Sequence, residues 1–340
     1  MPDTYISQFS GEEIDSALRA AQIISGADTP AALRKKLEIR GDTIPVSATD
    51  PTPVSEALTA SGGGVNPNLL DNWFFGNPVN QRGKTSYGQT PQYSIDRWMI
   101  NNDYAYVDVA DGYITLRGND VNGFGGIIEK LESSVKNALF DKTITLSFFA
   151  KLYTTCSIGG THIAPTDNFE LYSATFHSTS ADYVLLNAVT AVTQGAKIAD
   201  IIAAKLELGS TQTLAHKENG VWVLNEIPDF GEQLRRCQRY CRVIGGTINQ
   251  PFCNAVRREA TQLEGFIPID NPFRTAPSIS VNGYFSVIPD FHSVKFTSGD
   301  TLSPQGVTLF FERNDGGTFD KDAYLIYAGA DTRITLSADL

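Results

Sequence analysis

The chain of 340 residues is long enough for two or three domains with ample buried core. Its formal net charge of −11 excludes the basic field that nucleic-acid phosphates require, so no nucleic-acid partner is expected. Hydrophobic residues make up 41% and charged residues only 19%, with 29 Gly and 16 Pro. That turn-rich, low-charge balance favours β sandwiches over helical bundles.

Residues 1–8 carry neither a basic n-region nor an apolar h-region, so no secretory signal is expected. No apolar run approaches the roughly 18 residues of a membrane span, and the expectation is a soluble chain made in a cytoplasm, without membrane insertion. Cys156, Cys237, Cys241 and Cys253 form no C-x-x-C pair, and the last three lack a nearby His. Buried reduced thiols are the expected state, and no metal or other cofactor is implied.

The first predicted element opens at Ser10-Gly11-Glu12-Glu13, a capping box flanked by Phe9 and Ile14 as a hydrophobic staple. Ile14, Ala17, Leu18, Ala21 and Ile24 make a narrow apolar stripe, and Gly26 is placed to end the helix. A second short helix is expected from Thr29-Pro30 to about Gly41, with Leu33 and Leu37 on one side. Helices this short are marginal alone, so the stripes call for a partner: a neighbouring chain or another protein. From Thr43 to Asn66 the chain is rich in Pro, Thr, Ser and Gly and reads as an extended linker, broken at Ser61-Gly62-Gly63-Gly64.

Strand signals dominate the remainder. Residues 104–109 and 113–116 flank Asp111-Gly112, a strong two-residue turn. Asn219-Gly220 precedes 221–224, Asn282-Gly283 lies between 278–281 and 284–287, and Asp315-Gly316-Gly317 follows 307–311. Further strands are expected at 143–148, 324–327 and 334–336, and one helical insert near Gly231 to Arg242 divides the head. Its arginines, Arg235, Arg236, Arg239 and Arg242, read as a solvated face. The fold class is therefore mainly β: short N-terminal helices, an antiparallel β sandwich, then a second, distal β sandwich. The expected divisions are 1–42 for attachment, 43–66 for the linker, 67–215 for the first sandwich, 216–239 for a connector with the short helix, and 240–340 for the distal domain.

The sequence carries no G-x-S-x-G elbow, H-E-x-x-H helix, P-loop or dinucleotide fingerprint. Gly123-Phe124-Gly125-Gly126 lacks the Lys-Ser/Thr of a phosphate cradle and reads as a turn. His162, His177, His216 and His292 are too scattered to pair on one element. No catalytic residue is expected, although a glycosidase needs only two well-placed carboxylates, so a hydrolase stays as an alternative. Aromatics are the better lead, because sugar C–H faces pack on aromatic rings while polar neighbours fix orientation. Tyr87 and Tyr93 cluster with Trp98, Tyr104 and Tyr106 near the start of the head, Trp98 reading as core. Asn282, Tyr284, Phe285, Asp290, Phe291 and His292 cluster near its end, where a tight turn at Asn282-Gly283 and a second change of direction at Pro289-Asp290 are expected. Phe285 and Phe291 also fit as inward-facing strand residues.

The run Asn68-Leu69-Leu70-Asp71-Asn72-Trp73-Phe74-Phe75-Gly76-Asn77-Pro78-Val79-Asn80-Gln81-Arg82-Gly83, with Ile95-Asp96-Arg97-Trp98, resembles the opening of the head in phage and prophage tail-fibre proteins. Ala204-Lys205-Leu206-Glu207-Leu208-Gly209-Ser210 is similar to the last strand of their jelly-roll-like module, and Cys237-Gln238-Arg239-Tyr240 to the start of the segment after it. Gly11-Glu12-Glu13-Ile14-Asp15 looks like a short helix at the base of such fibres. The resemblance implies a homotrimer in a virion tail or phage-tail-like particle. It would attach to a tail or baseplate protein through its N-terminal helices and recognise a bacterial surface, often a glycan, at its distal end. It carries no catalytic or receptor residues over. The alternatives are a tail-borne polysaccharide hydrolase and a fibre connector with no receptor site.

Overall fold

The computed structural model describes residues 45–47, 50–53 and 66–339, apart from 89–91, 102–103, 120–123, 180–181, 248–250, 304–305 and 330. The two helices expected before residue 42, and most of the expected linker, lie outside the described residues. Two compact units divide the chain: the described residues before 67 with Ala215–Glu226, and Pro67–Leu214 with Ile227–Leu340.

The first unit contains two small antiparallel pairs. Pro45–Ser47 pairs with Asp50–Pro53, and Ala215–Glu218 pairs with Val221–Leu224. Asn219 and Gly220 close the second pair with φ of 50° and 81°, the left-handed geometry that a two-residue hairpin turn demands. Lys217 lies over the Trp222 ring on the same hairpin, with Nζ 4.8 Å from the centroid.

The second unit begins with a two-sheet sandwich. One sheet runs in spatial order Glu170–Ser178, Lys142–Leu152, Lys197–Leu208, Ile114–Gly118, Ala105–Val109 and Ser86–Gly88. The other runs Thr161–Ile163, Cys156–Ile158, Tyr183–Ala188, Gly126–Lys130 and Trp98–Ile100. Every pairing in both sheets is antiparallel. The two-residue period places Ile144, Leu146, Phe148, Ala150 and Leu152 together in the core, where they are buried. Leu186 and Ile158 on the facing sheet are buried as well. Each buried Ile, Leu or Phe side chain contributes roughly 1.5–3 kcal/mol on burial.

The alternation of residues 204–208 has a structural cause. Lys205 and Glu207 are both fully buried, and Thr213 folds back over them. The Lys205 Nζ donates to Thr213 Oγ1 at 2.8 Å, and Thr213 gives its N–H to Glu207 Oε1 at 2.7 Å and its hydroxyl to Oε2 at 2.5 Å.

Residues 71–83, 95–98 and 237–240 build the junction between the sandwich and the distal part of the chain. Asn72, with φ of 51°, donates through Nδ2 to the carbonyls of Val79 and Asp96 and accepts the Val79 N–H, fixing the loop that leads to Arg82. Trp98 is buried and its indole N–H is shared between the carbonyls of Asp71 and Asn72. Beneath them Arg97 is almost wholly buried, with Nη2 3.2 Å from Glu129 and Nε 3.3 Å from Asp71. The Tyr240 ring lies 3.7 Å from its guanidinium carbon. Tyr240 in turn donates to Glu132 at 2.6 Å and follows the helix Phe230–Cys237, whose start is capped by Asp229 accepting the Glu232 N–H. The arginines of this insert are ion-paired rather than simply solvated: Arg235 with Glu232, Arg236 with Asp71, Arg239 with Glu132 and Arg242 with Asp270. Arg242 is largely buried.

The distal part is not the second sandwich expected from the strand spacing. It is a closed six-stranded barrel of Pro251–Glu259, Gln262–Pro268, Gly306–Arg313, His292–Ser303, Phe285–Ile288 and Ala323–Ala328. Closure follows from Ala323–Ala328, which pairs on both sides, with Pro251–Glu259 and with Phe285–Ile288. It also follows from the long strand His292–Ser303, whose register shifts between Phe296 and Ser298 and again after Asp300, bending the strand around the core. Beside the barrel lies a three-stranded antiparallel sheet, Cys241–Gly245, Arg333–Ser337 and Ser278–Asn282. The turn at Asn282-Gly283 therefore joins two different sheets instead of closing a hairpin. Gly283 has φ of 95° and is pressed on Thr332, where an added Cβ would come within 2.6 Å of the hydroxyl oxygen. All four cysteines are buried and unbonded.

Arg97→Ala would leave Glu129 and Asp71 without their central cation and is expected to cost about 3–5 kcal/mol of unfolding free energy. Urea unfolding followed by the fluorescence of buried Trp73 and Trp98 measures it. A loss of less than about 1 kcal/mol, the value of an exposed pair, would show that packing rather than charge holds the junction.

Candidate binding groove

A groove with a volume of about 630 Å³ opens where the loop of the sandwich meets the three-stranded sheet. Its floor is the polar face of that sheet. In the ladder, Asn282 stands directly opposite Arg333, and Ser280 opposite Thr335. The intervening residues Ile279, Val281, Ile334 and Leu336 point the other way and pack with the barrel core. The alternation Arg333-Ile334-Thr335-Leu336-Ser337 is thus a strand with one apolar and one hydrophilic side.

The wall comes from Arg82, Gly83, Lys84, Tyr87, Gln92 and Tyr93. Tyr87 is mostly buried, and its hydroxyl is anchored by donating to Asn80 at 2.5 Å and accepting the Lys84 N–H at 3.2 Å. Burial also raises its pKa above the ordinary phenol value. Tyr93 is half-buried, and the Arg82 guanidinium lies 5.4 Å from its ring centroid. Gln81 ties the wall to the far side by donating to the Cys241 carbonyl at 2.7 Å.

Arg82 bridges two buried acids at the base of the groove. Its Nη1 lies 3.2 Å from Asp96 and its Nη2 2.5 Å from Asp339. Asp96 is the more enclosed, and burial pushes its carboxyl up from 3.8 to about 6. Arg82 and the Gln81 N–H oppose that rise, and the nearby Asp339 charge adds to it. The Oδ1 of Asp339 is buried and accepts no hydrogen bond from the described residues. The groove therefore has at its base an acceptor that the protein leaves unsatisfied.

The structure separates the expected site residues. Asn282, Tyr87 and Tyr93, some 190 positions apart in the chain, come together in this groove. Phe285 does not belong to any surface: it is fully buried, edge-on to Phe252 and Phe311 with centroids 5.3 and 5.1 Å away. Tyr284 is 52% exposed but turned over Gly329, with its backbone held by Thr332. Asp290 accepts the Tyr324 hydroxyl at 3.1 Å, Phe291 is 77% exposed at a turn with φ of 54°, and His292 begins the long barrel strand opposite Val287. These four residues line neither the groove nor a cavity with it. Sequence reasoning missed Arg82, Lys84, Ser280, Arg333 and Thr335. The signal for three of them was present as the polar half of two alternating strands.

Among the described residues lining the groove Asp339 is the one acid, and Asp96 behind it is buried on Arg82, so no pair of carboxylates faces the groove as glycoside hydrolysis requires. Among the described residues no three His, Cys, Asp or Glu side chains gather as a metal site, and no helix is long and apolar enough to cross a membrane. Two further cavities, of about 460 and 400 Å³, open on the sandwich.

No protein-family model matches the sequence, and no curated protein matches it. Among solved structures, the N-terminal CBM22-1-CBM22-2 tandem domain of Paenibacillus barcinonensis Xyn10C is similar over 81% of this chain and 97% of its own. The identity is 10% and the TM-score 0.26. A superposition that loose transfers neither site nor activity.

Asp96 gives the junction a pH dependence. Between 3.8 and about 6 the folded chain holds a proton on this group that the unfolded chain has lost. Its contribution to stability is therefore present in acid and is lost as pH rises through about 6, an effect of order 2–3 kcal/mol. In Asp96→Asn that component vanishes. The stability of the wild type relative to the variant should fall between pH 4.5 and 7. A difference independent of pH would show that Asp96 titrates as an ordinary carboxyl.

Proposed function

We propose that the chain is an adhesive, non-catalytic protein of the tail-fibre type that holds a bacterial surface glycan in the groove between the 82–93 loop and the three-stranded sheet. The observation that carries this reading is the convergence of an aromatic wall on a hydrophilic floor. Tyr93 presents part of a ring, and Asn282, Ser280, Thr335 and Arg333 offer donors and acceptors along one sheet face. The Asn282 side-chain amide is exposed and makes no hydrogen bond among the described residues. A pyranose has both an apolar C–H face and a rim of hydroxyls, which is the complement of such a surface.

The resemblance of the 68–83, 95–98 and 204–210 segments to tail-fibre heads supports the larger setting: a homotrimer in a virion tail or tail-like particle, attached through its N-terminal segment. Three weak sites on one trimer gain avidity through effective concentration rather than through new contacts.

Binding of the full chain to host cells and to their extracted polysaccharide tests the site. Tyr93→Ala and Asn282→Ala are each expected to weaken binding about tenfold, the loss of one stacking or hydrogen-bonding group. Tyr284→Ala and Phe291→Ala, exposed but outside the groove, are expected to bind as wild type. The opposite pattern would move the site to the 284–292 turn. Light scattering should give a mass near three times the 37.0 kDa chain, and a monomer would remove the trimer from the reading.

A further inference from the structure

We propose that the groove selects an acidic glycan, with the negative group of the sugar, a carboxylate or a phosphate, held by Arg333 with Lys84 beside it. The inference rests on the glycan-binding reading above and states what that glycan carries. Arg82, Arg242, Arg257 and Arg313 each meet a carboxylate at 2.5 to 2.8 Å. Arg333 meets none among the described residues. Its one hydrogen bond there runs from Nη1 to the Arg82 carbonyl at 3.2 Å. A guanidinium has five N–H donors in a planar fork that fits carboxylate or phosphate oxygens two at a time, so most of this one's capacity is unused.

The fork is held in place by bare backbone. A Cβ at Gly83 would stand 3.2 Å from Nη1, and one at Gly246 would stand 3.2 Å from Nε. Both glycines also have positive φ, 67° and 97°, so side chains are disfavoured there on two counts. Lys84 follows Gly83 directly. It is exposed, forms no ion pair with the described residues, and has its Nζ 5.9 Å from the Tyr87 centroid. The acids at the base of the groove, Asp339 and Asp96, are both engaged by Arg82.

A net charge of −11 repels an acidic polysaccharide at long range. At physiological ionic strength that field is screened beyond about 8 Å, so the two unpaired cations in the wall and floor decide the interaction at contact.

The test uses the full-length protein and surface polysaccharide from a bacterium to which it adheres, immobilised in three forms: native, carboxyl-reduced to the neutral sugar, and dephosphorylated with hydrofluoric acid. One of the two treatments should weaken binding about tenfold or more, and which one does so identifies the anion as carboxylate or phosphate. On native polysaccharide Arg333→Gln and Lys84→Gln should reproduce that loss, Arg333→Lys should recover part of it, and added salt should weaken the wild type more than Arg333→Gln. Undiminished binding after both treatments, with Tyr93→Ala still impaired, would overturn acidic selectivity and leave the glycan groove standing. Equal binding by wild type, Tyr93→Ala and Arg333→Gln would overturn the groove itself.

Discussion

One buried cation ties together three segments of the chain where the sandwich meets the distal part. Arg97 sits between Asp71 from the entry segment, Glu129 from the smaller sheet and the Tyr240 ring from the chain after the helix. Taking a guanidinium and a carboxylate out of water costs several kcal/mol each, and the site is not fully satisfied: Arg97 Nη1 and Glu129 Oε2 lack hydrogen-bond partners. Burial pushes the Glu129 carboxyl well above the usual range even with Arg97 beside it. A hydrophobic cluster would fill the same space at lower cost. The ionic arrangement fixes direction instead, since three chain segments must meet one planar group at defined angles. Arg82 repeats the device one layer outward with Asp96 and Asp339 and so sets the base of the groove.

The side chains that hold the junction and those that present the groove are largely different ones. Asn72, Asp96, Arg97 and Trp98 are buried and serve the backbone of the loop. Lys205 and Glu207 lock the last sandwich strand to Thr213. Lys84, Ser280, Arg333 and Thr335 present the groove from the surface of that scaffold.

Local chemistry made some elements legible. Asp111-Gly112 and Asn219-Gly220 gave hairpins because a two-residue turn constrains only its immediate neighbours. Asn282-Gly283 has the same signature, yet its flanking strands pair with Arg333–Ser337 and with Ala323–Ala328. A turn motif fixes a change of direction, and the partner on either side is decided by core packing elsewhere. Phe285 shows the same limit: an aromatic beside a turn reads as a surface platform until Phe252 and Phe311 enclose it. Barrel closure depends on which strands accept a second neighbour, which spacing along the chain does not encode. The groove was half legible, through Tyr87, Tyr93 and Asn282, because aromatic and amide side chains advertise themselves. Its cations did not stand out among ordinary charged residues.

The three-stranded sheet has a further consequence for the life of the chain. Its middle strand, Arg333–Ser337, is the last of the three in sequence, while the outer two, Cys241–Gly245 and Ser278–Asn282, come earlier and never touch each other in the ladder. During synthesis at the ribosome the sandwich can assemble from residues already released, but the groove floor cannot form until residues 333–337 have emerged. Such long-range pairing is slow to nucleate and is reached last. A polypeptide that stops short of residues 333–337, or has not yet paired them, therefore displays a wall without a floor.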